Sequence, residues 1–305
     1  MNQKSSVLTS IMLILVTFSW GLNNIVMKVG FRELDPWMFS ALRLAATLPA
    51  VLLLARFSPG YIPFEKKDLL RISGIACVGF SGFQVLFPLG IHGVSTPVGG
   101  MLMATVPVWV LLINLIARIS RVSFTAVAGL LLTLTGILLI VLLPKIGTGD
   151  AGSTTVSGVV FLLLAELFFA VNSVFLRPFM KKYSVPQVTA VAMIIATLLF
   201  TAILNKRLIT FDYSTLSPVT WGAVLYSGLI ALFFSNILWN RAIKSTGSLR
   251  VSVYANLPPV FVLILGALVF GEILNGVQYV GAVIIVSGII LAQVQPRAKE
   301  SRVKE

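Results

Sequence analysis

Runs of about twenty apolar residues recur from Val7 almost to the end of the chain, broken only by short basic or Pro- and Gly-bearing connections. No other feature constrains the fold as much. A bilayer core about 30 Å thick takes about 20 apolar residues per α-helix. In lipid the backbone N–H and C=O groups have no water to bond, so a run of this kind must close its hydrogen bonds within a helix. Ten candidate spans follow, at 7–30, 37–57, 69–91, 97–117, 124–143, 156–180, 186–204, 219–241, 249–270 and 276–294. The longest connections, 58–68, 144–155 and 205–218, are too short for a soluble domain. The expected fold is therefore an all-α integral membrane protein with ten transmembrane helices. The composition agrees: 57% of residues are hydrophobic and 11% charged, against about 25% charged in soluble domains.

The net charge of +13 invites a nucleic-acid reading, but the basic residues lie in short loops between apolar runs. Of the 23 Lys and Arg residues, Lys28, Arg32, Lys145, Lys206 and Arg207 fall on one side of the expected bundle and Arg43 lies inside a span. The other 17 fall on the side of the two termini. Lys and Arg concentrate in cytoplasmic loops. The expectation is a multi-pass protein of the cell (inner) membrane with both termini cytoplasmic, and no nucleic-acid partner. The apolar run after Lys4 continues past Trp20 without a small-residue cleavage site, so it reads as an uncleaved first helix. Cys77 is the single cysteine and His92 the single histidine, so neither a disulfide within the chain nor a Cys/His metal cluster is available.

The two halves resemble each other. WGLNNIVMK at 20–28 aligns with FAVNSVFLR at 169–177, pairing Asn23 with Asn172. Pro36 pairs with Pro186, Pro107 with Pro258 and Gly136 with Gly288, all at offsets near 150 residues. A constant offset over five helices points to duplication. Residues 1–146 and 154–296 form the expected repeats, and 297–305 a basic cytoplasmic tail. Five is odd, so the second copy enters the membrane from the opposite side. Inverted repeats of this kind place a binding site near the midplane between halves.

Glu166 is the clearest candidate for that site. It lies in the middle of an otherwise apolar span, where an acidic residue costs about 2.5–3.5 kcal/mol on insertion scales. Such residues usually face a bundle interior or wet cavity, so Glu166 is a candidate for proton coupling or for pairing with a substrate amine. Ala170, Ser173 and Arg177 share its helix face. Trp20, Asn24 and Lys28 form a stripe on the first helix with Asn23 beside it; Lys28, near the end, is expected to snorkel. Gln84, Trp109, Asn172, Ser235, Trp239, Tyr254 and Asn256 complete the candidate substrate-binding set. Trp239 and Asn240 lie toward a helix end, where an interfacial belt is the alternative. Pro107 and Pro258, at matching positions, predict bent helices framing a cavity or gate, because proline removes a donor and clashes with the preceding turn.

The strings FSWGLNN, SALRLAA, HGVSTPVGGMLMATVPVWVLL and KSTGSLRVSVYANLPPVFVLILGALVFGEIL resemble the EamA-type, ten-helix branch of the drug/metabolite transporter superfamily over nearly the whole chain. The first repeat departs from the pattern, with Ser120 or Arg121 where the alignment expects the counterpart of Glu272. The resemblance implies a transporter of amino acids, metabolites or toxic compounds, and a structural arginine, Arg43, in the second helix. Glu272 reads as a helix cap. The function expected is secondary transport of a small metabolite, such as a hydrophobic amino acid or organic amine, by alternating access and in the export direction. No Gly-rich loop precedes a Lys-Ser or Lys-Thr pair, so neither ATP use nor another cofactor is expected. The alternatives are a carrier of phosphorylated or nucleotide-linked sugars, an integral membrane enzyme, or a non-transporting scaffold. No catalytic residue or metal ligand set is identified. The partners expected are the solute and the lipid bilayer; the sequence specifies no oligomeric state.

Overall fold

The computed structural model describes residues 3–117, 124–142, 154–271 and 276–293. Expectations resting on Ser120, Arg121, Lys145, Glu272 and the 297–305 tail lie outside the described residues. Within them the chain is helical, with short connections and no strand. In chain order the helices are α1 (Gln3–Gly30), α2 (Pro36–Arg56), α3 (Lys66–His92), α4 (Thr96–Ile116), α5 (Phe124–Leu142), α6 (Val156–Lys182), α7 (Val185–Thr210), α8 (Pro218–Thr246), α9 (Ser248–Phe270) and α10 (Gly276–Gln293). Eight of them are long and apolar enough to cross a membrane. The others, α5 and α10, fall on the two remaining expected spans and pack on each other.

Local chemistry fixes the starts. Asp35 accepts from the N–H groups of Trp37 and Met38 ahead of α2, with Pro36 in the first turn. Ser184 and Gln187 form a capping box on α7, and Ser217 accepts from Thr220 N–H on α8. Each satisfies N–H groups that a helix start leaves unpaired. Gly247, at φ 96°, makes the sharp turn from α8 to α9, a backbone conformation that glycine adopts without steric cost.

Five helices are interrupted where the sequence would otherwise continue; one is α6, which breaks at Leu176 just before Pro178. α4 breaks at Ala104 and Thr105, just before Pro107, and α9 passes through a tight turn at Val253–Asn256 before Pro258. The paired prolines therefore mark real breaks. α3 and α8 are interrupted differently, by wide π-helical segments at Ala76–Phe80 and Tyr226–Phe234.

Glycines let the helices approach backbone to backbone. A Cβ at Gly90 would sit 2.5 Å from Leu162 Cγ, joining α3 to α6. One at Gly228 would sit 2.6 Å from the Arg43 carbonyl, joining α8 to α2. Small residues at helix contacts are what membrane bundles use when lipid removes the hydrophobic drive for association. The outer surface carries large apolar side chains, among them Leu53, Ile116, Phe124 and Leu268, a lipid-facing pattern.

Polar contacts tie the two ends of the bundle. At one end Lys182 pairs with Asp68 at 2.7 Å and Glu65 at 2.6 Å, and Tyr183 donates to Asp68 at 2.8 Å. At the other, Arg207 pairs with Asp35 and the Ser217 N–H donates to Glu33 at 2.9 Å. The Glu33 carboxyl is held below its usual range, chiefly by that backbone donor.

Candidate functional site

A cavity opens at the middle of the bundle. α1 contributes Trp20 and Asn23, α2 Arg43, α3 Phe83 and Phe87, and α4 Met103 and Val106. From the other half, α6 contributes Glu166 and Phe169, α8 Ala231, Leu232 and Asn236, and α9 Ala255 and Pro258. The helix breaks lie in this wall, at Met103 and Val106 beside Pro107 and at Ala255 and Pro258. The space measures about 50 Å³ for water-sized spheres, room for roughly four waters at the 10–15 Å³ each requires.

The wall is aromatic on one side. Trp20 packs on Trp239 at 4.8 Å and edge-on to Phe169 at 5.6 Å, and Phe83 joins Phe169 at 5.4 Å. Trp20 is held by the bond from its Nε1 to the Ala231 carbonyl, 3.0 Å away in the π segment of α8. Tyr226 OH and Ser235 Oγ also reach Ser19, at 3.3 and 3.2 Å. Ser235 is thus a strut between α1 and α8 and does not line the cavity.

The polar side carries two charged groups, Arg43 and Glu166. Both are buried, at 2% and 3% exposure, and among the described residues neither has an ion-pair partner. Arg43 Nη2 donates to Gln84 Oε1 at 2.6 Å, and Nη1 donates to Ser227 Oγ at 3.3 Å and Met27 Sδ at 3.4 Å. Among the described residues Arg43 Nε, Glu166 Oε1 and Asn23 Oδ1 have no hydrogen-bond partner. Buried polar atoms are normally paired, and each exception asks for an explanation. Three exceptions line this one cavity.

The structure sorts the remaining candidates. Gln84 stands behind Arg43 rather than in the wall. Asn24 is fully buried and donates to Met103 Sδ at 3.3 Å. Asn172 packs against Gly79 in the π segment of α3, and its Oδ1 is unpaired. Trp109, Tyr254 and Asn256 lie outside the cavity lining, and Tyr254 OH bonds Ser10 Oγ at 2.7 Å. Trp239 is 1% exposed behind Trp20, so an interfacial belt is excluded for it. Asn240 is buried too and donates to Thr189 on α7 at 3.1 Å. Lys28 reaches back to the Val94 carbonyl at 2.8 Å and caps a helix connection where snorkelling was expected.

Two polar lining residues, Arg43 and Asn236, fall outside the substrate-binding set expected from the sequence, as do apolar ones such as Phe83 and Phe169. The resemblance implies a structural role for Arg43, and its bonds to Gln84 and Ser227 agree with one, but its place in the cavity wall is not legible from its depth along α2.

The EamA-like transporter family model matches residues 7–142 and again 156–293. A "Probable amino-acid metabolite efflux pump" of Salmonella typhimurium is 26% identical over 291 residues, covering 91% of this chain and 92% of that protein. Its Escherichia coli namesake is 25% identical, with 95% of each chain covered. An "Uncharacterized transporter" of Archaeoglobus fulgidus is 23% identical, covering 90% of this chain and 95% of the relative. A solved crystal structure superposes with a TM-score of 0.63 at 19% identity over 95% of this chain and 97% of the other, a likeness of fold. With both halves matched by its model, the chain belongs to the EamA-like transporter family.

Proposed function

We propose that this transporter is a secondary carrier exporting small amphipathic metabolites, hydrophobic amino acids or organic amines, across the cell (inner) membrane. The observation that carries the reading is the cavity itself, where an aromatic wall from Trp20, Phe83 and Phe169 faces the unpaired polar atoms of Asn23, Arg43 and Glu166. Small-molecule sites combine apolar walls with a few placed polar groups in this way. The names of the Salmonella and Escherichia relatives agree with an amino-acid substrate.

The transport cycle is alternating access between two inverted five-helix repeats, with α5 and α10 as the ninth and tenth membrane helices and both termini cytoplasmic. Paired features support the duplication. α3 packs on α6 and α7 while α8 packs on α1 and α2, and α4 packs on α6 while α9 packs on α1. The π segments begin at Ala76 and Tyr226, the same offset near 150 that relates the prolines. A cavity of four waters, about 120 Å³ at the liquid share of about 30 Å³ each, is smaller than a bulky hydrophobic amino acid, so loading one requires the walls to part at the breaks in α4 and α9. Glu166 is the group proposed to exchange a proton for the substrate.

Sugar phosphates are disfavoured because Arg43 is the single cation among the lining residues. Proteoliposomes loaded with labelled phenylalanine, phenethylamine, glucose phosphate or a nucleotide sugar decide the matter. Counterflow of the first two and not the last two is expected; flux of the phosphate esters alone overturns the proposal.

A further inference from the structure

Arg43 and Glu166 line the same cavity, carry opposite formal charges, and are not joined to each other. A buried Arg and a buried carboxyl on facing helices would ordinarily close into an ion pair, because an uncompensated charge in a dry interior is costly. Here the bundle holds them apart. Arg43 is pinned on three sides, by Gln84, Ser227 and Met27, so it is not free to swing toward α6. Three of its five N–H donors are thereby engaged, leaving Nε–H and one Nη2 hydrogen. The guanidinium is a planar fork of donors that matches carboxylate oxygens, and Nε–H is the atom of it left without a partner.

We infer that the cavity is a zwitterion site: Arg43 takes the carboxylate of an α-amino acid, Glu166 takes its ammonium group, and the Trp20 and Phe169 rings take its side chain. This assignment rests on the transport reading above and narrows it. It gives Arg43 a binding role in place of a structural one, and it separates amino acids from the organic amines that the same aromatic wall would otherwise accept. Asn23, whose Oδ1 is unpaired at the cavity wall, supplies a further acceptor for the ammonium. Without a ligand, Arg43 Nε and Glu166 Oε1 stay buried and, among the described residues, unpartnered. A zwitterion neutralises both charges at once, whereas a one-charge ligand leaves the other group buried without a partner.

The test uses the full-length protein in proteoliposomes and three probes: phenylalanine, phenethylamine, which lacks the carboxylate, and phenylpropionate, which lacks the amine. Both analogues are smaller than phenylalanine, so size cannot exclude them. A charged hydrogen bond is worth about 1.5–3 kcal/mol, so each analogue should compete for labelled phenylalanine about 10- to 100-fold more weakly than phenylalanine itself. Arg43→Gln should collapse the phenylalanine-to-phenethylamine ratio toward one, and Glu166→Gln the phenylalanine-to-phenylpropionate ratio. Arg43→Lys, which keeps a cation in the span, carries the same test if the glutamine variant does not fold; its ratio should fall part-way. The inference is overturned if phenethylamine competes as well as phenylalanine in the unaltered protein. It is overturned equally if the Arg43 variants weaken both ligands alike with the ratio preserved, the signature of a structural arginine. In either case counterflow of phenethylamine would leave the broader transport proposal standing; absence of flux for all three probes would instead remove that proposal.

Discussion

Gly228 sits in the π segment of α8 with the Arg43 carbonyl as its nearest neighbour, so Gly228→Ala tests the seam that places Arg43. The added methyl would stand 2.6 Å from the Arg43 carbonyl and 3.2 Å from Thr47 Oγ1, the first about 0.8 Å short of ordinary contact. A carbonyl cannot rotate out of the way as a side-chain end can, so α8 must move off α2. Overpacking of this kind costs about 1–3 kcal/mol. The movement also stretches the Thr47 Oγ1 to Gly228 carbonyl bond, 3.0 Å at present, and interhelical polar contacts in membranes average about 0.6 kcal/mol. Alanine over glycine returns up to about 1 kcal/mol of helix propensity. The net expectation is a loss of about 1–3 kcal/mol. Gly222 lies on the same helix with open space around its Cβ position, so Gly222→Ala should be neutral or gain up to about 1 kcal/mol. Thermal unfolding of the two variants in one detergent reads the difference. At about 2–4 °C per kcal/mol for a chain somewhat shorter than this one, Gly228→Ala should melt several degrees below Gly222→Ala. Equal midpoints would refute the α2–α8 seam and with it the fixed position of Arg43.

Glu166→Gln should insert and fold normally but flatten the pH dependence of transport, since the amide cannot titrate; an unaltered pH profile with full rate would reassign Glu166 to helix packing. Trp20→Ala removes two ring contacts and the bond to Ala231, so binding of aromatic solutes should weaken by about 1–3 kcal/mol in a competition assay, more than binding of small polar solutes. In a Cys77→Ala background, Asn205→Cys should label with an impermeant thiol reagent in intact cells and Lys66→Cys should not; the reverse pattern would invert the topology. The Glu33 carboxylate is favoured by the Ser217 N–H, so its contribution is present at neutral pH and is lost as pH falls through its lowered folded value, below the ordinary 4.5. Glu33→Gln should therefore remove part of the loss of thermal stability seen on acidification through that range, a contrast with the unaltered protein that thermal melts at stepped pH will show.

The sequence carried the parts of this molecule that lipid itself dictates. Apolar runs must become helices, and prolines within them must interrupt the ladder, so the breaks before Pro107 and Pro258 were legible. Glu166 was legible for a related reason: a carboxyl in mid-span needs a polar place to face. Arg43 was not, because its surroundings come from α3 and α8, one and six helices further along the chain. The same holds for Trp239, whose position near a helix end concealed its tilted contact with Trp20. The π segments left no signal, since ACVGF and YSGLIALFF are ordinary apolar text; each carries a glycine set close against another helix, Gly79 against Asn172 and Gly228 against Arg43 and Thr47.

Those wide turns alter how α3 and α8 can be mapped. A single extra residue in a helix of 3.6 residues per turn advances the azimuth of everything beyond it by about 100°. A helical wheel fitted to the first half of α3 therefore assigns the second half to the wrong compass bearing, and Gln84, just past the wide turn, is drawn away from the arginine it touches. Tryptophan or cysteine scanning along either helix should show a periodic pattern with a phase slip at 76–80 and at 226–234. Any alignment of homologous helices that places a gap in those windows would move whole faces between lipid and cavity without changing a single residue in the site.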